Sequence, residues 1–240
     1  MRVNNSKNII KTCITYSIWV IITPPFLLAC AVLALFPARI RYDNRLYHRI
    51  ASTLGTLLVR TSFIKFDIQG KENMPTYPQT PAIIVMNHCS ALDIPLVEML
   101  VGSYPHVWMS KASYKKVPLM GFLLSRMHVL VNRTSGSDAF RSLVTLRTLV
   151  KNAPRHALLF PEGTRHYDGS VHSFLPGFAI LAEGLNRPII PIIAYGTHHV
   201  WPKKSFVIDS SSTHVKIIIG KPMHFIRDTP REVMVADVQR

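Results

Sequence analysis

A histidine and an aspartate stand five residues apart in segment 87–95, which reads Asn-His-Cys-Ser-Ala-Leu-Asp-Ile-Pro. A histidine with a near-neutral pKa can take the proton of an alcohol, and an aspartate can fix the tautomer of its ring and stabilise the cation that forms. Residues five apart on one continuous helix point about 140° away from each other. His88 must therefore lie in the turn before a helix if Asp93 is to reach it. Such a pair would make His88 a general base, whereas in an ordinary turn the same spacing would be only structural.

The neighbouring Cys89 is a second candidate nucleophile. Adjacent residues point in different directions and no basic group is placed to activate this thiol, so a buried small residue is the better interpretation. The chain has only two other cysteines, Cys13 and Cys30. An odd number of widely spaced cysteines argues against a disulfide framework and fits a reducing compartment.

A second group of functional residue types occupies segment 160–165, Phe-Pro-Glu-Gly-Thr-Arg, directly after an apolar run. Gly163 permits tight backbone geometry, and the guanidinium of Arg165 can bind a phosphate through two hydrogen bonds. Glu162 could orient Arg165 or contact a substrate. The alternative is a turn after a strand that carries a surface ion pair.

The two motifs, Asn-His-x-Ser-x-x-Asp and then Phe-Pro-Glu-Gly-Thr-Arg, resemble those of the 1-acyl-glycerol-3-phosphate acyltransferase family. The resemblance runs from about residue 66 to residue 225. It implies transfer of a fatty acyl group to the sn-2 hydroxyl of lysophosphatidic acid, giving phosphatidic acid in phospholipid biosynthesis. The donor would be acyl-CoA or acyl carrier protein, with no other cofactor. His88 and Asp93 would be the catalytic pair, and transfer would be direct, without a covalent intermediate.

The resemblance also assigns residues that bind substrate. The positive side chains associated with the acceptor's phosphate are Lys111, Arg133 and Arg165. The remaining residues of the same acceptor motif are Glu162, Gly163 and Thr164. Pro191, in the segment Ile-Pro-Ile-Ile, is associated with the acyl donor or with the shape of its pocket.

Two departures from the family pattern leave a second acceptor open. Segment 174–177 reads Phe-Leu-Pro-Gly, where the family often has Phe-Lys-x-Gly, and segment 126–128 lacks a glycine that is common there. A lysophospholipid with another head group, or another lyso-lipid, would use the same His88 and Asp93.

The elements that must position these residues alternate between strands and helices. Short apolar runs predict strands over 64–68, 82–86, 107–110, 128–131, 157–160, 189–194 and 215–219. Helices are predicted over 95–101, 119–126 and 137–152. This alternation indicates an α/β fold with a mixed, largely parallel sheet flanked by helices. We place the catalytic domain at 63–240, after an N-terminal membrane-associated helical segment at 1–62.

Residues 12–38 contain no charged side chain. This segment is long enough to cross a bilayer. Pro24 and Pro25 at its centre predict two short helices, 14–23 and 26–36, because proline interrupts helical hydrogen bonding. Basic residues flank both sides, so a full span and insertion into one leaflet both remain open, with the catalytic domain on the cytoplasmic face. The segment 44–64 predicts an amphipathic helix. The resemblance likewise implies an N-terminal membrane-embedded helical motif.

The charge balance indicates an anionic partner. The 28 basic and 13 acidic side chains give a formal net charge of +15, which suits membrane lipids or a phosphorylated substrate. A non-enzymatic lipid- or nucleic-acid-binding protein is the alternative from another class, but no nucleic-acid-binding motif occurs. A serine hydrolase is disfavoured because Gly-x-Ser-x-Gly is absent. We expect no metal, although the pairs His166–His172 and His198–His199 could ligate one.

Overall fold

The computed structural model describes residues 6–133, 135–201, 205–210, 215–226 and 229–240. Its centre is a seven-stranded sheet in the order β1-β7-β6-β2-β5-β3-β4. The strands are β1 Phe66–Gln69, β2 Ile83–Met86, β3 His106–Lys111, β4 Val129–Val131, β5 His156–Leu159, β6 Ile189–Tyr195 and β7 Val215–Ile219. All neighbouring strands are parallel except the antiparallel pair β6 and β7. The prediction of a mixed, largely parallel sheet is confirmed.

Helices cover both faces of this sheet. They are α1 Ser6–Ala34, α2 Ala38–Arg41, α3 Arg45–Arg60, α4 Asp93–Val101, α5 Met120–Met127, α6 Gly136–Val150, α7 Gly177–Leu185, α8 Thr197–Val200 and α9 Arg231–Gln239. One apolar core packs α3 and α4 against the sheet, and a second packs α6, α7 and α9 against its other face. Strands β2 and β5 are buried along their whole length because both faces are covered. Each predicted strand and helix of the catalytic region has a counterpart in the structure, whereas α7, α8 and α9 were not predicted.

The prediction of two short N-terminal helices is wrong. Helix α1 continues through Pro24 and Pro25 for 29 residues. Each proline removes one backbone donor, but both ends of the helix are held by packing. Towards its start, buried Asn8, Thr12 and Thr15 hydrogen bond to the domain. Towards its end, buried Ala31 and Ala34 belong to a small core shared with α3 and α5. This tertiary packing outweighs the loss of two helical hydrogen bonds.

The opposite face of α1 exposes a stripe of large apolar side chains. Three of them recur every seven residues, which keeps them on one side of a helix. The stripe consists of Ile10, Ile14, Ile21, Leu28 and Val32, and it is extended by Leu35 in the turn that follows the helix. By length and composition α1 could cross a membrane. Its two ends, however, are bound to the same domain, so α1 lies along the domain with one apolar side facing outward.

Candidate active site

The candidate catalytic pair lies where β2 ends and α4 begins. Central position in the sheet buries β2, and the loop after it delivers His88 to the carboxyl edge, where α/β folds bind ligands. Because α4 begins at Asp93 itself, His88 lies in the turn before the helix, as the spacing required. Nδ1 of His88 is 2.8 Å from Oδ2 of Asp93. The side chain of Asp93 is fully buried, while that of His88 keeps a small exposed fraction of 8%.

Asp93 is fixed by more than the histidine. Its Oδ2 atom also accepts hydrogen bonds from the backbone N–H groups of Cys89 and Ser90, both at 2.7 Å. Together with Nδ1 of His88, these two N–H groups hold the carboxylate in one position. The carboxylate in turn makes Nδ1 of His88 a donor, which leaves Nε2 as the acceptor nitrogen. The arrangement can therefore remove a proton at Nε2.

The turn also receives support from the second motif. Oε1 of Glu162 accepts a hydrogen bond from the backbone N–H of His88 at 2.7 Å, and its Oε2 accepts one from the N–H of His172 at 3.3 Å. Glu162 is buried and makes no contact with Arg165 that would orient it. The structure shows a role for Glu162 that was not predicted from the sequence: its carboxylate joins the loop after β2 to the loop after β5.

An aromatic ring covers one face of the imidazole. The ring of Phe160 stacks on that of His88 with centroids 3.9 Å apart and an angle of 11° between planes. Trp108 stacks on the same phenyl ring at 5.4 Å, and its Nε1–H donates to the buried carboxylate of Glu98 at 2.7 Å. This stacking of Phe160 on His88 was not predicted from the sequence, where Phe160 is only the first residue of the second motif.

Cys89 is not placed as a nucleophile. It is buried, and burial followed by the negative charges of Asp93 and Glu162 raises the pKa of its thiol to about 12. A thiol with such a pKa is protonated at neutral pH and unreactive. The interpretation of Cys89 as a buried small residue is confirmed.

The three basic residues predicted to bind the acceptor's phosphate lie at the ends of strands on one side of β2. Lys111 ends β3, Arg133 follows β4, and Arg165 follows β5, so the sheet order brings them to the same carboxyl edge as His88. A guanidinium N–H of Arg133 donates to the carbonyl oxygen of Gly163. Gly163 has a positive φ of 70°, so a glycine suits this turn.

Arg165 has a partner that the sequence analysis missed. Its Nη2 donates to the hydroxyl oxygen of Tyr114 at 2.7 Å. Desolvation, and then the like charge of Arg165, lower the pKa of Arg133. Within the described residues, Lys111, Arg133 and Arg165 form no ion pair with a carboxylate. Tyr114 could have been noticed because it follows Lys111 by three residues in the turn after the same strand.

Thr164 and Pro191 are the remaining predicted site residues. Thr164 is exposed in the loop after β5. Pro191 lies inside β6, beside Val85 of β2, and its carbonyl accepts a hydrogen bond from Gly220 at 2.8 Å. The structure therefore places Pro191 within the sheet, and its association with the acyl donor stays a prediction.

The histidines considered for metal binding lie in two pairs. The rings of His166 and His172 stack at 3.7 Å, and His172 contacts Asp168 at 2.7 Å. The rings of His198 and His199 are 3.8 Å apart. Across the described ranges, no group of three or more His, Cys, Asp or Glu side chains is arranged to hold a metal ion.

The fold and this site define an acyltransferase domain. The family model described as Acyltransferase matches residues 65–195, more than half of the chain. The chain belongs to the acyltransferase family, and the resemblance inferred from the two motifs is confirmed.

Individual known proteins are also similar to this chain. A chloroplastic 1-acyl-sn-glycerol-3-phosphate acyltransferase of Brassica napus is 34% identical over 185 residues, which cover 77% of this chain and 52% of that protein. The corresponding Arabidopsis thaliana protein is 32% identical, covering 76% and 50%. The chain thus spans about half the length of these curated relatives. The crystal structure of the 1-acyl-sn-glycerophosphate acyltransferase PlsC from Thermotoga maritima covers 97% of this chain and 93% of its own, with a TM-score of 0.75 and 25% identity.

Proposed function

We propose that this protein transfers a fatty acyl group from a thioester donor to the sn-2 hydroxyl of lysophosphatidic acid. The observation that carries the proposal is the contact between Nδ1 of His88 and Oδ2 of Asp93, beside three cations without a carboxylate partner in the described part of the chain. The names of the plant relatives and of the Thermotoga maritima protein state the same substrate for those proteins.

His88 is the general base in this reaction. Its Nε2 takes the proton of the acceptor hydroxyl while the hydroxyl oxygen attacks the thioester carbonyl. The C–O bond of the ester forms, the C–S bond breaks, and the proton passes from Nε2 to the leaving sulfur. Asp93 stabilises the imidazolium that exists between these two transfers.

The acceptor's phosphate is bound along the edge on the β5, β3 and β4 side of the base. A phosphomonoester carries close to two negative charges at neutral pH. Arg133 and Arg165 are held by neutral oxygen atoms, those of Gly163 and Tyr114, so their positive charge remains available for an anion. Lys111 is exposed on the strand between them and adds a third charge. This arrangement holds the phosphate while the glycerol hydroxyl reaches His88.

A second acceptor class is favoured by one observation. Leu175 stands where the family often has a lysine. Its side chain lies next to Gly163: a Cβ added at Gly163 would be 2.8 Å from Cδ1 of Leu175. An apolar side chain at this point lowers the positive charge around the phosphate. A lyso-lipid with another head group would then react at the same His88, with comparable rates for acceptors with and without a phosphomonoester.

The protein acts on the membrane that α1 binds. The exposed apolar stripe of α1 enters one leaflet parallel to the surface, since both helix ends are attached to the domain. Basic residues follow α1 directly, at Arg39, Arg41, Arg45 and Arg49, and favour the anionic cytoplasmic face. The substrate and the catalytic pair thus meet at the same surface.

The test is acyl transfer by the purified protein in detergent, from labelled oleoyl-CoA or from acyl carrier protein loaded with the same chain, to lysophosphatidic acid. The unchanged protein should form phosphatidic acid, and His88→Ala should lose all but a trace of the rate. His199→Ala, which removes an exposed histidine after β6, is the matched control and should keep the rate. Full activity of a folded His88→Ala protein would refute the assignment of the base.

A panel of acceptors decides the head group. Lysophosphatidic acid should react much faster than monoacylglycerol and lysophosphatidylcholine. Equal rates for the three would replace lysophosphatidic acid by the broader acceptor class.

A further inference from the structure

An aromatic cluster joins the first helix to the loop after β6. Tyr16 and Trp19 of α1 meet Trp201, with ring centroids 5.8 to 6.0 Å apart. This contact connects segments that are almost two hundred residues apart in the chain. It places Trp201, the residue that follows α8, at the side of α1.

The polar atoms of this cluster are all satisfied within the protein. Each ring that carries an N–H or O–H group donates it to a neighbouring oxygen. The bonds are Trp19 Nε1 to Thr61 Oγ1 at 2.9 Å, Trp201 Nε1 to the carbonyl of Ser205 at 3.0 Å, and Tyr16 Oη to the carbonyl of Phe206 at 2.9 Å. Burying an unpaired polar group in hydrocarbon is costly, whereas a satisfied one can enter it.

Phe206 extends outward from this cluster. Its side chain is 85% exposed although its backbone carbonyl is bound by Tyr16. An open apolar depression of about 460 Å³ lies beside the cluster on α1, lined by Tyr16, Trp19, Val20, Thr23 and Pro24. Val20 is 72% exposed. The apolar surface is therefore continuous from the stripe of α1 to Phe206.

We propose that Phe206 and the aromatic cluster form a second membrane-inserting element, which enters the same bilayer leaflet as α1. The occupant of this surface is the acyl-chain region of a lipid bilayer, because the surface continues the stripe by which α1 binds the membrane. Tryptophan and tyrosine side chains are typical of protein surfaces at the boundary between headgroups and hydrocarbon.

This second contact would fix the rotation of the domain on the membrane. A single in-plane helix can roll about its own axis, whereas an insertion beside it prevents this movement. The domain is then held in one orientation with respect to the leaflet that supplies the acceptor. This inference concerns membrane binding and holds whether or not the proposed acyl transfer is correct.

The depth of Phe206 can be measured with a spin label. The exposed Cys13 is first replaced by serine, since Cys30 and Cys89 are buried. Phe206→Cys then carries a nitroxide in vesicles of equal parts phosphatidylcholine and phosphatidylglycerol. The matched control is Ile226→Cys, because Ile226 is 80% exposed and follows Phe225, which packs on the opposite face of the sheet.

The label at position 206 should collide with oxygen more often than with a water-soluble nickel chelate, and the label at 226 should show the reverse. In parallel, Phe206→Ser should weaken partitioning into the vesicles about tenfold, since a phenyl ring leaves the hydrocarbon. Ile226→Ser should leave partitioning unchanged, and both variants should keep their activity in detergent. Nickel accessibility at 206 equal to that at 226, or unchanged partitioning of Phe206→Ser, would overturn the proposal.

Discussion

The ring of Phe160 lies face to face with the imidazole of His88, 3.9 Å away between centroids. Hydrogen bonding to Asp93 fixes one edge of the imidazole, but a hydrogen bond alone allows rotation about the line between the two groups. The stack removes this freedom, because rotation would separate the two faces. Trp108, held by Glu98, keeps the phenyl ring in place from behind.

We therefore expect Phe160→Leu to lower kcat about fivefold, since an aromatic contact of this kind contributes on the order of 1 kcal/mol beyond its buried area. The KM values for donor and acceptor should stay unchanged, because the leucine removes orientation of the base and no substrate contact. Steady-state kinetics measures both constants. Phe160→Tyr should restore kcat, and Phe174→Leu, an aromatic residue packed on Phe178, should leave it unchanged. A raised KM with constant kcat would instead assign Phe160 to substrate binding.

Asp93→Asn tests the other restraint on the base. An amide in this position either turns its NH₂ group towards three donors or leaves it buried without an acceptor. The imidazole then loses the partner that fixes its tautomer, and we expect kcat to fall about a thousandfold or more. Asp168→Asn is the matched control, since Asp168 contacts His172 in an exposed pair with nearly the same distance, 2.7 Å. Comparable losses in both variants would show that the effect is not specific to His88.

Tyr114 is predicted to contribute to the phosphate site. Its hydroxyl oxygen accepts a hydrogen bond from Arg165, so its own proton remains available for a phosphate oxygen. Tyr114→Phe should raise KM for lysophosphatidic acid about tenfold, since a hydrogen bond to a charged group contributes about 1.5 kcal/mol. The rate with monoacylglycerol, which has no phosphate, should not change. Tyr195→Phe, at the end of β6, serves as the control, and an equal loss with both acceptors would contradict the assignment.

The free energy of unfolding should fall as pH drops below neutrality. Burial, followed by the positive charge of His106, lowers the pKa values of His128 and His156 to about 3. The unfolded chain binds protons on these rings below about pH 6.5, whereas the folded protein does so only near the lowered values. Because the unfolded state then holds more protons, each ring reduces stability by about 1.4 kcal/mol per pH unit below 6.5.

Glu98 adds to this loss at lower pH. Burial alone would raise the pKa of its carboxyl, but the charge of His106 and hydrogen bonds from His106 and Trp108 lower it to about 2. Its contribution is present above about pH 4.5 and is lost as pH falls towards 2. Urea unfolding at a series of pH values in one detergent measures the slope. His156→Asn keeps an acceptor for the N–H of Ala82. Between pH 6 and 5 it should reduce the slope of the unfolding free energy against pH by the equivalent of about one proton. An unchanged slope would show that His156 does not take up a proton on unfolding.

The sequence predicted the sheet and the contact between His88 and Asp93 because both depend on local pattern. Short apolar runs define strands such as β2, and the five-residue spacing of His88 and Asp93 determines where the helix must begin. The prediction for α1 was wrong because Pro24 and Pro25 locally disfavour a helix, whereas packing at the two helix ends stabilises it. No local pattern in the sequence reveals this packing. The partners of Arg165 and His88 were missed for the same reason: Tyr114 and Phe160 come from other loops and meet them only after folding.

Gly55 links the N-terminal segment to the catalytic pair. It lies in α3 where this helix crosses α4, and a Cβ at this position would lie 2.7 Å from the carbonyl oxygen of Pro95 and 2.8 Å from Cβ of Glu98. Neither atom can move without the first turns of α4, which begins at Asp93. Gly55→Ala must therefore push α4 away from α3 and displace the carboxylate from His88.

We expect Gly55→Ala to destabilise the protein by about 1–3 kcal/mol, the usual cost of overpacking, and to lower kcat at a temperature where the protein remains folded. Thermal unfolding and kinetics on the same sample separate the two effects. Gly136→Ala is the control, because a Cβ there meets no atom within 4 Å. A stable Gly55→Ala protein with unchanged kcat would mean that α3 and α4 can separate without moving Asp93, and that α3 does not influence the geometry of the base.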